Sequence, residues 1–260
     1  MQKSIKTAAE RLRQAAETGQ ACAPVRELIG LDDLAAAYEV QALNTQLRLA
    51  AGARIVGRKI GLTAKSVQTQ LGVEQPDYGV LFHDREVLNG AIVPWQALMQ
   101  PRAEGEIAFV LGKDLPHPDL ISADVISAID YALASIEIVG SRIENWNIRI
   151  TDTIADNASA SHFVLGHRPV RLEHLDLTGC NMSLLKNGVQ VSEGLGAACL
   201  GSPINALVWL AKTMARLGEP LRAGEVILTG ALGPVVAVTP GDRIDCHIDG
   251  LGSASVHFGT

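Results

Sequence analysis

The sequence predicts an α+β protein, with a helical N-terminal portion over residues 1–52 and a β-rich catalytic body over 53–260. The first fifty residues are rich in Ala, Leu, Gln and Glu with helical spacing, whereas beyond Gly52 the chain breaks into short apolar runs punctuated by Gly and Pro. There is no regular strand–helix alternation, no G-x-G-x-x-G, no G-x-x-x-x-G-K-[ST] and no internal repeat, which argues against a doubly wound nucleotide-binding fold.

MQKSIKTAAERLRQAAETG carries charge throughout and lacks an apolar stretch with a small-residue cleavage site, so it predicts a short amphipathic helix and a cytoplasmic protein. Asp32 or Asp33 caps a second helix with Leu34, Tyr38, Leu43 and Leu47 on its apolar stripe and Gly52 as its stop. IVGRKIGL, EIAFVLG, ASIEIVG, SHFVLG, EVILTG and SASVHFG are strand candidates. One further helix is expected from near Ser122 through Tyr131. Another is capped by Ser202, starts at Pro203, carries Leu207, Leu210, Met214 and Leu217, and ends at Gly218. Asn187-Gly188 between MSLLK and VQVS predicts a type I′ hairpin, because both central residues need positive φ.

With 260 residues, 47% of them hydrophobic, the chain suffices for one large domain, or a core domain with a small attachment. No stretch approaches the roughly 20 apolar residues of a membrane helix. A net charge of −6 with 22 dispersed basic residues argues against a nucleic-acid surface. Cys22, Cys180, Cys199 and Cys246 lie far apart without a C-x-x-C pair and read as small buried residues in a reducing compartment.

In PRAEGEIAFVL, Glu104 and Glu106 are two apart in a strand and project from one face, about 7 Å apart along the backbone. Alone, such a pair reads as a solvated face. Glu137 adds weight because it stands between Ile136 and Ile138 in a run destined for the interior, where a carboxylate is costly unless paired or metal-bound. Three carboxylates without His or Cys ligands suit a hard cation, Mg²⁺ or Mn²⁺. Such a site keeps a net charge near minus one, so an anionic substrate calls for another cation, for which Lys59 in VGRKIGL is the candidate. Asp77, in QPDYGVL, either caps a turn marked by Pro76 and Gly79 or, if that turn closes over a site, acts as acid or base. DTIADNASAS offers Asp152, Asp156, Asn157, Ser159 and Ser161 as a polar loop. EVILTGALGPVVAV bends sharply at Thr229, Gly230, Gly233 and Pro234 and exposes amides able to hold a carboxylate. Ser159 and Thr229 are the candidate substrate contacts from these two segments.

Taken in order, GRKIGLT, QPDYGVLF, PRAEGEIAFVL, SIEIVGSRI, DTIADNAS and LTGALGP resemble the hydratase and decarboxylase branch of the fumarylacetoacetate hydrolase superfamily, along the whole chain. The resemblance implies a β-roll core of mixed sheets, Mg²⁺ or Mn²⁺ on Glu104, Glu106 and Glu137, and Lys59 with Asp77 as the catalytic pair. It also implies homo-oligomers built from dimers, with the decarboxylase or aldolase of the same pathway as further partners. The implied activity is a hydro-lyase adding water to 2-hydroxypenta-2,4-dienoate in aromatic meta-cleavage catabolism, giving 4-hydroxy-2-oxopentanoate. The alternatives are 4-oxalocrotonate decarboxylase, which shares the metal site, and a scaffold partner of that enzyme. TGALGP resembles the hydratase version, and the direct passage from SRIENWNIRIT to DTIADN, without extra residues, favours a short substrate. Gly105 and Ser135 depart from the family pattern and are expected to enlarge the pocket. His83 and Glu86 form an H-x-x-E, but their place beyond QPDYG does not suit a carbon–carbon bond hydrolase.

Overall fold

In the computed structural model, which describes residues 2–64, 68–69 and 73–260, α1 (Gln2–Thr18) and α3 (Leu34–Ala50) flank the single turn α2 (Arg26–Ile29). The Asp33 side chain caps α3 by accepting from the Ala36 amide at 2.9 Å. The buried face of α3 differs from the expected stripe: Ala36, Ala37, Val40 and Gln41 are buried, while Leu43 and Leu47 are exposed. Ala36 and Ala37 share a cluster with Ala8 and Ala9 of α1, and small side chains at that seam let the two backbones approach. Fit therefore decides the face, not side-chain size.

The strands are β1 (Ile55–Gly61), β2 (Asp77–Phe82), β3 (Ile92–Val93), β4 (Arg102–Leu111), β5 (Ile129–Val139), β6 (Ala160–Leu165), β7 (Asn181–Lys186), β8 (Val189–Leu195), β9 (Val226–Ala231), β10 (Val236–Ala237), β11 (Arg243–Ile248) and β12 (Gly252–Phe258). Between them run α4 (Ser122–Ala128), α5 (Ile150–Ala155) and α6 (Pro203–Arg216). The helix expected through Tyr131 stops at Ala128, because Tyr131 pairs with Val110 in the ladder joining β5 to β4. On α6, Ser202 caps the Ile204 amide and Gly218 follows with φ +78°, as the sequence predicts, although Leu217 is exposed. Asn187 and Gly188 adopt φ 53° and 81° in the β7–β8 hairpin.

One mixed sheet has the order β2-β1-β9-β4-β5-β6 with β10 on β4; the second runs β3-β12-β11-β7-β8. β1 with β9 and β3 with β12 are parallel. Ile107, Phe109, Ile136 and Ile138 of the first sheet share one core with Met182, Leu184, Ile244 and Val256 of the second and with Leu207 and Leu210 of α6. This is the α+β roll that the resemblance implies. Gly105 faces this core and not the pocket: a Cβ there would sit 2.8 Å from Cys246 Sγ and from Met182 Sδ. Its small size lets the sheets close up instead of widening a cavity. All four cysteines are free.

Asp152 ties the N-terminal helices to this body. It is fully buried and accepts from the amides of Val25, Arg26 and Arg149 at 2.9 Å each and from the Arg26 guanidinium at 2.5 Å. Asp152→Ala would strand three amides and a half-buried cation, with an expected cost of about 3–5 kcal/mol. The measurement is the urea midpoint of unfolding, which should fall without loss of turnover per folded molecule at low denaturant.

Candidate active site

Strand alternation brings Glu104 and Glu106 to one face of β4, and the antiparallel register places Glu137 of β5 opposite Glu104 and Ser135 opposite Glu106. One oxygen from each Glu lies within 4.8 Å of the others. Glu106 and Glu137 are fully buried, whereas Glu104 is half-buried at the rim. Glu106 Oε2 accepts from the Gly230 amide at 2.8 Å. Among the described residues, Glu106 Oε1 and both Glu137 oxygens accept no well-aligned hydrogen bond, Glu137 Oε1 meeting only the Lys59 ammonium at 3.3 Å. Burial pushes all three carboxyl groups upward, and the Glu137 charge adds to the rise at Glu104, which reaches about 7. Unsatisfied buried oxygens converging in this way fit a hard divalent cation, which they would hold as oxygen ligands. Ser135 donates its hydroxyl to the Glu106 carbonyl, so it braces the ligand strand and does not open space.

A cation must displace protons from these groups. Its apparent affinity should therefore fall as pH drops below about 7. Calorimetric titration of metal-free protein with Mn²⁺ in buffers of different ionisation enthalpy checks this; proton release per ion should be larger at pH 6 than at pH 8. Stability moves the opposite way in the metal-free protein. Raised carboxyl pKa values mean that the native state binds more protons than the unfolded state, so stability should decline as pH rises from the ordinary carboxylate range toward neutrality.

Lys59 lies in the middle of β1 between Gly79 of β2 and Leu228 of β9. It is buried; its Nζ donates to the Ala158 carbonyl at 2.9 Å and lies 3.3 Å from Glu137 Oε1. Burial alone would lower its pKa, but Glu137, Asp77, Glu104 and Glu106 outweigh that and hold the ammonium charged. Asp77 opens β2 opposite Gly61 and is not in a turn. Gly79, which reads as a turn signal, is a strand residue whose missing side chain admits the Asn157 carbonyl; a Cβ would lie 2.4 Å from that oxygen. Burial raises the Asp77 carboxyl, and Lys59 together with the backbone amides of Asp77 and Gly61 opposes the rise. A Cβ on Gly61 would lie 2.2 Å from Asp77 Oδ1 and 3.2 Å from Lys59 Nζ, so the two groups converge over a bare Cα.

Asn157, Ala158 and Ser159 form a left-handed turn with φ 57°, 50° and 59°. The Ser159 hydroxyl is buried beside the carbonyl that receives Lys59 and has no hydrogen-bond partner among the described residues. Thr229 differs: its hydroxyl donates to the Ile107 carbonyl at 2.9 Å, which commits its proton within the sheet. The amide exposed by the bend at Gly230 serves Glu106, not an external carboxylate. Asp152 and Asp156 are structural, Asp156 being bound to Arg142. The exposed amide expected at the Gly230 bend does hold a carboxylate, that of Glu106; sequence reasoning missed the Ala158 carbonyl, which has no side-chain signature.

A curled roll carrying three convergent carboxylates, a buried ammonium and a buried acid defines the class. Residues 59–258 match the fumarylacetoacetate (FAA) hydrolase C-terminal family, and the chain belongs to it. It is 54% identical to 2-keto-4-pentenoate hydratase 1 of Dechloromonas aromatica over 98% of this chain and 97% of that protein. It is also 54% identical to the TodF product hydratase of Pseudomonas putida, over 98% of this chain and 95% of that protein. Among solved structures, 4-oxalocrotonate decarboxylase from Pseudomonas putida G7, complexed with magnesium and adipate, superposes with a TM-score of 0.95 at 36% identity, covering 99% of this chain and 98% of that chain. Among the described residues, no helix is long and apolar enough to cross a membrane.

Proposed function

We propose that this chain is a divalent-metal-dependent hydratase that adds water to 2-hydroxypenta-2,4-dienoate, the enol form of 2-keto-4-pentenoate, giving 4-hydroxy-2-oxopentanoate. The observation that carries the reading is the buried triad Glu104, Glu106 and Glu137 with Lys59 against it, in a chain 54% identical to such a hydratase over 98% of its length. The decarboxylase, at 36% identity, is the more distant likeness.

Glu104, Glu106 and Glu137 would hold Mg²⁺ or Mn²⁺, which supplies charge stabilisation for the carboxylate and 2-oxygen of the substrate. The strand-rich segment 53–260 contributes every group of the site. The reaction needs a proton delivered to the terminal carbon, which moves the double bond into conjugation with the 2-ketone, and then water added at C4 with a proton placed at C3. Asp77 and Lys59 are the proton carriers for these steps, since both are buried beside the carboxylates and meet over Gly61. Lys59 also offsets the negative charge that the triad and the substrate bring together. Ser159 presents its free hydroxyl to the bound substrate. Thr229 takes part through its remaining acceptor capacity. The active form is a homo-oligomer built from dimers, in keeping with the exposed apolar side chains Leu43 and Leu47 on α3 and Val189 and Val191 on edge strand β8.

The test mixes metal-free protein with freshly generated dienoate, adds Mg²⁺ or Mn²⁺, and follows loss of the dienoate absorbance with product identification by mass. Metal-dependent gain of one water supports the reading. No turnover, together with carbon dioxide release from 4-oxalocrotonate, replaces it with the decarboxylase.

A further inference from the structure

We propose that Asn157 is a positioning residue for Lys59, acting through the Ala158 carbonyl. β2 is the edge strand of its sheet, so one side of its backbone has no strand partner among the described residues. The Asn157 side chain supplies one: its Oδ1 accepts from the Val80 amide at 2.8 Å and its Nδ2 donates to the Val80 carbonyl at 3.0 Å. A single carboxamide thus replaces a strand's donor and acceptor together on two separate atoms, which a carboxylate, having no donor, does not.

The clamp holds a turn that the chain does not favour by itself. Asn157 tolerates positive φ, but Ala158 and Ser159 do so only when their surroundings impose it. Gly79 lets the turn lie flush on β2, because any side chain there would enter the space of the Asn157 carbonyl and come 3.2 Å from Ala158 Cβ. The outcome is a fixed Ala158 carbonyl 2.9 Å from Lys59 Nζ. That oxygen claims one of three ammonium protons and so limits where the others go; Glu137 Oε1 lies 3.3 Å from Nζ, and Asp77 lies across the bare Cα of Gly61. The strain at residues 157–159 therefore belongs to the site: it aims a backbone acceptor that no side chain supplies.

The inference rests on the hydratase reading for its kinetic consequence and on geometry alone for its structural one, so two readouts test it. Asn157→Gly keeps the left-handed preference but removes the clamp. Gly79→Ala disturbs the same contact from the β2 side, and at least one of the two is expected to fold with a native circular dichroism spectrum. In a crystal structure of either variant, Lys59 Nζ should move out of hydrogen-bond distance of the Ala158 carbonyl. Kinetically, kcat should fall about 10- to 100-fold with KM and Mn²⁺ affinity each within about twofold of the parent, the pattern of a displaced proton carrier in an intact binding site. If Lys59 keeps its bond to Ala158 in the variant crystals, or if kcat per folded site is unchanged and only the melting temperature falls, the inference is overturned. Failure of the parent protein to hydrate the dienoate would refute the hydratase reading instead, and the variant crystals would still decide the position of Lys59.

Discussion

Glu106→Gln is expected to abolish useful cation binding and, at the same time, to make the metal-free protein harder to unfold. The two effects have one cause. Glu106 is fully buried beside two other carboxylates, and one of its oxygens has no hydrogen-bond partner among the described residues, so without a cation its charge is a cost. The amide retains an oxygen that can accept from Gly230 while deleting the charge, which removes the repulsion with little change of shape. Mn²⁺ affinity should drop about 100-fold or more and turnover on the order of 10³-fold. Meanwhile the urea midpoint in chelator should rise, by about 1 kcal/mol or more in stability. The rise should be larger at pH 8 than at pH 5, because the parent carboxyl groups are pushed upward by burial and Glu104, at about 7, sheds its proton between those values. Added Mn²⁺ should stabilise the parent and leave the variant unchanged. Lower stability of the variant in chelator would show that Glu106 is held by contacts within the fold and not poised for a cation.

Why the triad is legible in the sequence, and much of its surroundings is not, follows from where the information sits. Strand periodicity alone puts Glu104 and Glu106 on one face, and Glu137 stands out because its apolar neighbours leave an acid with no cheap place to go. Lys59 could be named for the same reason. Asp77 was equally visible as a residue but not as strand, since Gly79 carries the same letter whether it turns a chain or makes room for a neighbour's carbonyl. On α3 the apolar periodicity pointed to Leu43 and Leu47, yet the helix seats its alanines against α1, a choice that depends on a surface brought there by tertiary packing. The groups that complete the site are backbone: the glycine-rich bend at Gly230 announces an exposed amide but not that Glu106 receives it, and the Ala158 carbonyl can come from any residue, so only its φ value and neighbours reveal it.

Lys59→Met separates charge balance from cation binding and should move metal-free stability the other way. The ammonium is buried, with Glu137 at 3.3 Å and the charges of Asp77, Glu104 and Glu106 acting on it. Methionine fills a similar volume without the charge, leaving Glu137 and Asp77 buried with no compensating cation, at an expected cost of about 3–5 kcal/mol. Turnover should fall about 10²- to 10⁴-fold through loss of a proton carrier. Cation affinity should respond differently from Glu106→Gln. A buried positive charge beside the triad repels a divalent ion, so at pH 8, where fewer protons compete for the triad than at pH 6, its removal should tighten Mn²⁺ binding by about tenfold. At pH 6 the gain should shrink, because Glu137 without its partner holds a proton more firmly and the ion must displace it. Calorimetric titration at both pH values, with urea unfolding in chelator and in Mn²⁺, gives the full pattern: inactive, less stable without metal, and rescued by metal more than the parent is. If Lys59→Met instead binds Mn²⁺ much more weakly at pH 8, the ammonium supports the geometry of the triad, and its part in balancing charge is secondary.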